Sequence, residues 1–346
     1  MTRRAIDNLY ALTIPEIQEA FLKAMQDIVD RAMLDEMVAA IEAGDADRLF
    51  TASGFTPAAL SPILDRIEEA YERAGRIEVD NWPQRIRTPT GIIQPVFNMR
   101  NPAVEEDLRN FSSQFISRIT NEAKDNIRIV LQDGMIRGDN PRRTALDIAG
   151  RINPSTRKRE GGIVGLTSQQ TRAVINARGY LETFDKKYFN LRLRDKRFDR
   201  TVMAAIESGF PLSQETISKL ITSYKSRALK YRGEMISRTE TIQSMNRGAR
   251  ASIEQAISEG ITRRQDIKKW WDDSGDGRVR TTHNVLGQRF GRKNPIGFDE
   301  PFISPSGARM LAPGDSSLGA DASEIVHCRC HARYEIDFVG RELNGG

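Results

Sequence analysis

From Thr13 to Gly260 apolar residues recur three and four positions apart, and one stretch breaks that spacing for long. Pro83, Pro89 and Pro95 fall between Gly75 and Asn101. Each lacks an amide hydrogen and fixes its own φ, so no helix runs through this segment. The chain must fold as blocks of helix on either side of an extended, surface-crossing connection. Ahead of it, "TIPE" reads as a capping box of Thr13 and Glu16 with Pro15 in the first turn. Ile17, Phe21, Met25, Ile28, Val29, Met33, Met37 and Ile41 then hold the helical period until Gly44, the methionines as core filler. "TPAALSPILDRIEEAYERAG" predicts a second helix, with Leu60, Ile63, Leu64, Ile67 and Tyr71 as its stripe.

Beyond the prolines, Asn101 caps and Pro102 opens a helix whose stripe is Val104, Leu108, Phe111, Phe115, Ile119, Ile127 and Val130, ending at Gly134. A short helix at "RRTALDIAGRI" leads to the loop "NPSTRKREGGIVG", expected to stay mobile until something anionic orders it. "TSQQ" at 167–170 is another capping box. A long helix from Ser213 toward Gly260, with a break near Gly233, closes the helical part.

The last ninety residues change character. "FISPSGARMLAPGD" predicts a hairpin, and "EIVHCRCHARYEID" alternates as a strand. Val326, Cys328, Cys330, Ala332, Tyr334 and Ile336 would share one face, opposite His327, Arg329 and His331. Both cysteines of the chain and two of its three histidines sit here. A helix at "RVRTTHNVLG" would put the third, His283, on its apolar side with Val279 and Leu286. Cys328, Cys330 and His283 are therefore candidate ligands for a structural zinc, with His327, His331 or Asp276 as the fourth. Two buried free thiols beside a hydrogen-bonded histidine would read the same way. The expected class is α+β: an N-terminal helical region with an extended linker (1–90), a helical body (91–260) and a small α+β domain (261–346).

Charge is unevenly spread. Residues 151–200 carry thirteen Lys or Arg against five acids, a local +8 that leaves −3 for the rest of a chain of net +5. Arg157, Lys158, Arg159, Lys186, Lys187, Arg192, Arg194, Lys196 and Arg197, interleaved with aromatic residues, are candidate contacts to DNA phosphates without sequence preference. A basic solvated helix face is the bland alternative. No apolar run approaches the roughly 20 residues needed to cross a bilayer. No signal peptide is expected, and two cysteines are too few for a disulfide scaffold, so assembly in a reducing cytoplasm is expected. Gly-rich phosphate loops and dinucleotide fingerprints are absent, which disfavours a nucleotide-driven enzyme.

"KKWWDDSGDGRVRTTHNVLGQRF", "PSGARMLAPGD" and "EIVHCRC", preceded by "SRTET" and Asn246, together resemble the Mu F-like phage head morphogenesis (minor head protein) family. The matching positions are Arg238, Glu240, Asn246, Asp276, Arg278, Arg280, His283, Pro313, Gly314 and Asp315, with the closing Cys-Arg-Cys. The resemblance is strongest over 230–337, weaker over 100–230, and absent before residue 90. It implies a non-enzymatic, few-copy component inside the virion head. The implied partners are the portal protein, major capsid or scaffold proteins and DNA. The implied roles are head assembly and genome delivery, after synthesis in the host cytoplasm. The rival expectation is a metal-independent nuclease or toxin-like enzyme with His283 as general base and Arg278, Arg280 and Thr281 binding phosphate.

Overall fold

A computed structural model describes residues 2–88 and 91–338. Its helices are α1 (Arg3–Asp30), α2 (Leu34–Glu42), α3 (Ala46–Ala52), α4 (Ser61–Asp80), α5 (Pro102–Arg137), α6 (Pro141–Ala149), α7 (Ser168–Glu182), α8 (Asp199–Ser208), α9 (Gln214–Ser258), α10 (Thr281–Arg289) and α11 (Ala322–Ile325). Short strands make four small sheets: β1 (Ile86–Thr88) with β2 (Gly91–Ile93), β3 (Arg151–Ile152) with β4 (Arg159–Glu160), and β7 (Phe302–Ile303) with β8 (Arg309–Met310). The fourth is three-stranded, with β5 (Ile267–Asp272) between β6 (Ile296–Gly297) and β9 (His331–Ile336), all antiparallel. The fold is α+β and mostly helical, and no helix among the described residues is long and apolar enough to cross a membrane.

The chain divides into two compact units, neither of them one continuous run. The first unit takes Met1–Gln18, Ile63–Ser112 and Met235–Gly346; the second takes Glu19–Pro62 and Ser113–Glu234.

In the first unit the central strand β5 buries Ile267, Lys269 and Trp271 at alternate positions, with Ile267 opposite Ile336 and Asp272 opposite His331 on β9. Trp271 is the hub. Its ring meets Phe302 edge-on at 5.2 Å and His283 at 5.0 Å. The C-terminal part of α9 packs against α4 so closely that a methyl group on Gly248 would overlap the Tyr71 carbonyl. Within α4, Gly75 likewise leaves the space that the Phe97 ring occupies, and the helix runs on through that glycine to Asp80.

In the second unit the expected loop at 153–165 is only half a loop. Its basic part forms the β3–β4 hairpin, while Ile163, Val164 and Leu166 are buried. Gly165, at φ +85°, lies against Met25 and Leu229, and Arg232 donates to its carbonyl at 2.7 Å. The Thr167–Gln170 capping box is formed in both directions at the start of α7. The Asn101 cap likewise forms on α5, its Oδ1 accepting Ala103 N–H at 3.0 Å.

Several boundaries move for tertiary reasons. Helix α1 starts at Arg3 and passes through Thr13 and Pro15, so the "TIPE" capping box is not used. The cap is Thr2, whose hydroxyl accepts Ala5 N–H at 3.2 Å, and Ile6 and Leu9 extend the buried stripe upstream. Pro15 is on the exposed side, where losing one backbone hydrogen bond to solvent is tolerated. Helix α1 stops at Asp30, and Met33 is half exposed rather than core, because Met33 N–H bonds the Ala52 carbonyl and turns the chain into α2. Helix α5 runs past Gly134 to Gly138, which adopts φ +67° and closes the end, with Asp139 N–H reaching the Gly134 carbonyl. Helix α9 is unbroken at Gly233.

Replacing Gly248 by Ala should destabilise the protein by about 1–3 kcal/mol, because the added methyl meets rigid backbone. Gly179→Ala on α7, where nothing lies within 4 Å of the new atom, should be neutral or slightly stabilising. Paired thermal melts check the contrast; equal Tm values would mean that α4 and α9 do not pack this closely.

Candidate metal centre

Helix α10 begins at Thr281, so His283 sits in its first turn with Leu286 three residues on, both buried. Val279 precedes the helix. The two cysteines are not on a strand, contrary to the alternation of 324–336. Helix α11 is capped by Asp321, His327 turns left-handed at φ +59°, and Cys328 N–H bonds the Ile325 carbonyl at 3.2 Å. Strand β9 starts only at His331, whose ring is wholly buried. Arg280 holds this turn by donating to the Val326 carbonyl.

The turn brings both thiols to one imidazole nitrogen. His283 Nδ1 is 3.5 Å from each of the Cys328 and Cys330 sulfurs, and Cys330 N–H points at the Cys328 sulfur at 3.5 Å. All three donor atoms lie within 4.8 Å of one another, and each residue is at most 2% exposed. A tetrahedral ion bound at about 2.0 Å to nitrogen and 2.3 Å to sulfur separates the two donors by about 3.5 Å. His283, Cys328 and Cys330 can therefore hold a metal ion.

The far side of the ring supports this. His283 Nε2 lies 2.9 Å from Glu324 Oε2, which also accepts from Thr282 Oγ1 at 3.1 Å; Ser306 Oγ donates to the other carboxylate oxygen at 2.6 Å. Burial alone would raise the Glu324 carboxyl, but the Ser306 and Thr282 hydroxyls and His283 hold it below its ordinary value. A carboxylate acceptor fixes the proton on Nε2 and leaves the Nδ1 lone pair for a ligand, as metal-binding histidines require. Sharing a proton with Cys328, together with burial, pushes the Cys330 thiol up. Burial opposes ionisation of Cys328 too, yet its hydrogen bonds from Cys330 and the Arg280 charge bring it below the ordinary thiol value.

None of the expected fourth ligands joins this group of mutually close donors. Asp276 pairs with Arg329 and accepts Arg278 N–H at 2.9 Å. His327 lies at the left-handed turn. His331 lies outside the group although it is wholly buried; burial and nearby positive charge push its pKa down to about 3. Glu324 is the functional residue that the sequence pattern hides, because a two-residue alternation gives it no special place.

Other motif residues build the support. Asn246 on α9 donates to the Pro313 carbonyl at 3.0 Å and accepts Ala332 N–H at 2.9 Å. Gln243 donates to the Gly314 carbonyl at 2.9 Å, and Asp315 accepts Leu311 N–H at 2.8 Å. Gly314, at φ +82°, leaves no room for a side chain beside Ile242. Lys269, fully buried on β5, donates to the Leu311 carbonyl at 2.8 Å. Glu240 is buried on α9, and Arg238, two residues earlier, is half-buried. Arg278 is exposed.

The basic candidates in the second unit divide into two sets. Arg194 grips Asp199 at 3.0 and 2.9 Å, and Arg197 grips Asp195 at 3.0 and 2.7 Å. Lys187 lies 3.7 Å from Asp185, and Arg159 donates to the Gly150 carbonyl at 3.2 Å. Arg157, Lys158, Lys186, Arg192 and Lys196 are exposed and make no ion pair among the described residues. Tyr188 is buried at 2%, so it serves the core and not a stacking surface. Arg178 is turned inward: it bonds Asp147 at 2.9 and 3.1 Å, and the buried Lys225 reaches the same carboxylate at 3.2 Å.

Comparison with family models, curated proteins and solved structures finds no significant match to this chain.

Burial would raise the Asp147 carboxyl, but Lys225 and Arg178 hold it well below the usual carboxylate range. A carboxyl depressed in the folded state adds stability that is complete above about pH 4 and is lost as pH falls through the folded value. Asp147→Asn should cost about 3–5 kcal/mol near neutrality by stranding two buried cations. It should also flatten the acid limb of the stability curve below about pH 4. Urea melts from pH 2 to 7 check both; parallel acid limbs for the variant and the parent would remove Asp147 as their origin.

Proposed function

We propose that the chain is a phage minor head protein of the Mu F-like kind: a few-copy structural component inside the capsid, next to the portal. The observation that carries the reading is convergence. The residues behind the resemblance are scattered from 238 to 330 in sequence, yet they fold within one compact unit. There Asn246, Gly314 and Asp315 lock one turn, while His283, Cys328 and Cys330 close another. In this reading, capsid or scaffold proteins are the other partners during assembly in the host cytoplasm. The exposed Arg157, Lys158, Lys186, Arg192 and Lys196 face DNA without sequence preference.

The rival, a metal-independent nuclease, needs His283 within reach of a substrate proton. Its ring is 1% exposed, with Glu324 on one nitrogen and two thiols on the other. That geometry favours a structural role.

Cross-linking mass spectrometry on purified heads tests the assignment. Links between this chain and the portal are expected, and absence of the chain from the heads would overturn it. In the same preparation, DNA affinity should fall with salt at a slope near 0.9 per phosphate contacted, and the Arg157, Lys158 and Arg159 triple Ala variant should flatten that slope.

The metal in this reading is a structural zinc on His283, Cys328 and Cys330, supplying folding energy to the C-terminal elements. Elemental analysis should find about one zinc per chain, and Cys328→Ser should release it and lower Tm sharply. A metal-free protein in which Cys328→Ala is mild would instead leave the thiols as core packing.

A further inference from the structure

Helix α1 brings a tyrosine to the thiol turn from the other end of the chain. Tyr10 packs against the core cluster that holds Cys328, Cys330, Trp271 and Leu286, and all five residues belong to the first unit. The side chain is half-buried, but its hydroxyl is shut off from solvent and has no hydrogen-bond partner among the described residues. This O–H therefore faces the packed interior with its proton uncommitted.

Its neighbours narrow what can accept that proton. Asp7, one turn earlier on α1, is engaged by Arg3 at 3.1 Å. Burial raises the phenol pKa most, and Cys328 and Cys330 follow, ahead of Arg3 and Asp7, so the proton stays on the oxygen. A neutral thiol sulfur is a weak acceptor, and neither one takes the Tyr10 proton. A thiolate is a different partner. Metal binding deprotonates cysteine ligands, and a hydrogen bond to an ionised acceptor is roughly twice as strong as a neutral one.

We propose that Tyr10 is a positioning residue of the metal centre, its hydroxyl donating to a metal-bound cysteine sulfur. The proposal rests on the metal reading given above and not on the assignment to phage heads. It makes the centre depend on three separate stretches of sequence: the first helix, the start of α10 and the turn from α11 to β9. The buried donor finds its acceptor only when the thiols are ionised, so loading the site fastens α1 to the turn. Direct ligation by a phenolate is disfavoured, because three anionic ligands on a divalent ion would leave a net charge buried.

Competition between the full chain and a chromophoric chelator for Zn(II) tests this. Tyr10→Phe should weaken zinc binding about tenfold, the lower end of what losing such a supporting contact costs a metal site. Melts should show a reversal. Without metal the variant should melt at or above the parent Tm, because an unpaired buried hydroxyl is gone, and with zinc it should melt below it. In the Co(II)-loaded chain the sulfur-to-metal charge-transfer band should move to longer wavelength, since the thiolate loses a hydrogen bond. Tyr334→Phe is the control, as that phenol is also buried without a partner. It packs on Phe298 at 5.9 Å, and its charged neighbours are Arg250, Glu78, Asp315 and Glu254 and not the thiols. This variant should bind zinc as the parent does. Parent-like zinc affinity with an unmoved cobalt band in Tyr10→Phe would overturn the proposal and leave the metal reading standing. A Tm lowered equally with and without zinc would also overturn it, since packing alone gives that result. A parent chain that binds neither ion would remove both readings at once.

Discussion

One amide side chain joins three parts of the first unit. Asn246 is 2% exposed on α9, and its Nδ2 serves the carbonyls of Ile242 and Pro313 while its Oδ1 takes the Ala332 N–H. One outer partner, the Pro313 carbonyl, lies in an irregular turn; the other, Ala332 N–H, lies at the start of β9. A buried backbone group without a partner costs about as much as a lost hydrogen bond, so the amide decides whether these segments can be buried at all. Strand β9 begins one residue before Ala332, directly after the cysteine turn. The position of the thiols is therefore tied to a helix that starts more than a hundred residues upstream.

Features decided locally were legible in the sequence. The Asn101–Pro102 start, the Thr167–Gln170 box and the 302–310 hairpin each depend on neighbours a few residues away, and all are present. Thr13, Gly134 and Gly233 carry the same local signals, yet the chain passes through them as helix. Burial of Ile6 and Leu9 outweighs the Thr13 cap, and the missing side chain of Gly134 is what lets Thr144 close on α5. Sequence spacing alone also suggests consecutive domains, whereas the compact units interleave segments from both ends of the chain. The His283, Cys328 and Cys330 grouping was readable because these residue types are rare. Glu324 was not, since its role exists only once α10 and α11 meet.

Electrostatics separates residues that look alike in sequence. The segment 151–200 has eight surplus positive charges, but Arg178, Arg194 and Arg197 face carboxylates of their own unit. The buried Asp147 with its two cations is costly to break, and Asp195 is buried beneath the exposed Arg197 guanidinium. What remains for a polyanion is a smaller set of exposed side chains, each able to move. Long-range attraction of that sort is screened within about 10 Å at ordinary salt, which makes contact with phosphate, and not net charge, the relevant quantity.

The thiol turn poses a bonding problem that packing alone solves poorly. With its proton fixed on Nε2 by Glu324, the His283 ring offers one lone pair, at Nδ1. Two sulfurs stand at the same 3.5 Å from it. One lone pair accepts one S–H well, so the second thiol must turn its proton to the other sulfur or go unpaired. Thiols are weak donors, and packing such a cluster gains little over three apolar side chains of the same volume. A strand would have carried the two cysteine side chains apart along its face; the left-handed His327 and the turn from Ile325 draw them together instead. The backbone thus adopts an unfavourable conformation for a non-glycine residue at the one place where it makes the donors converge. A cation at their centre would use the lone pair and both sulfurs at once. That convergence, rather than the residue types alone, is what would let these three residues hold a metal.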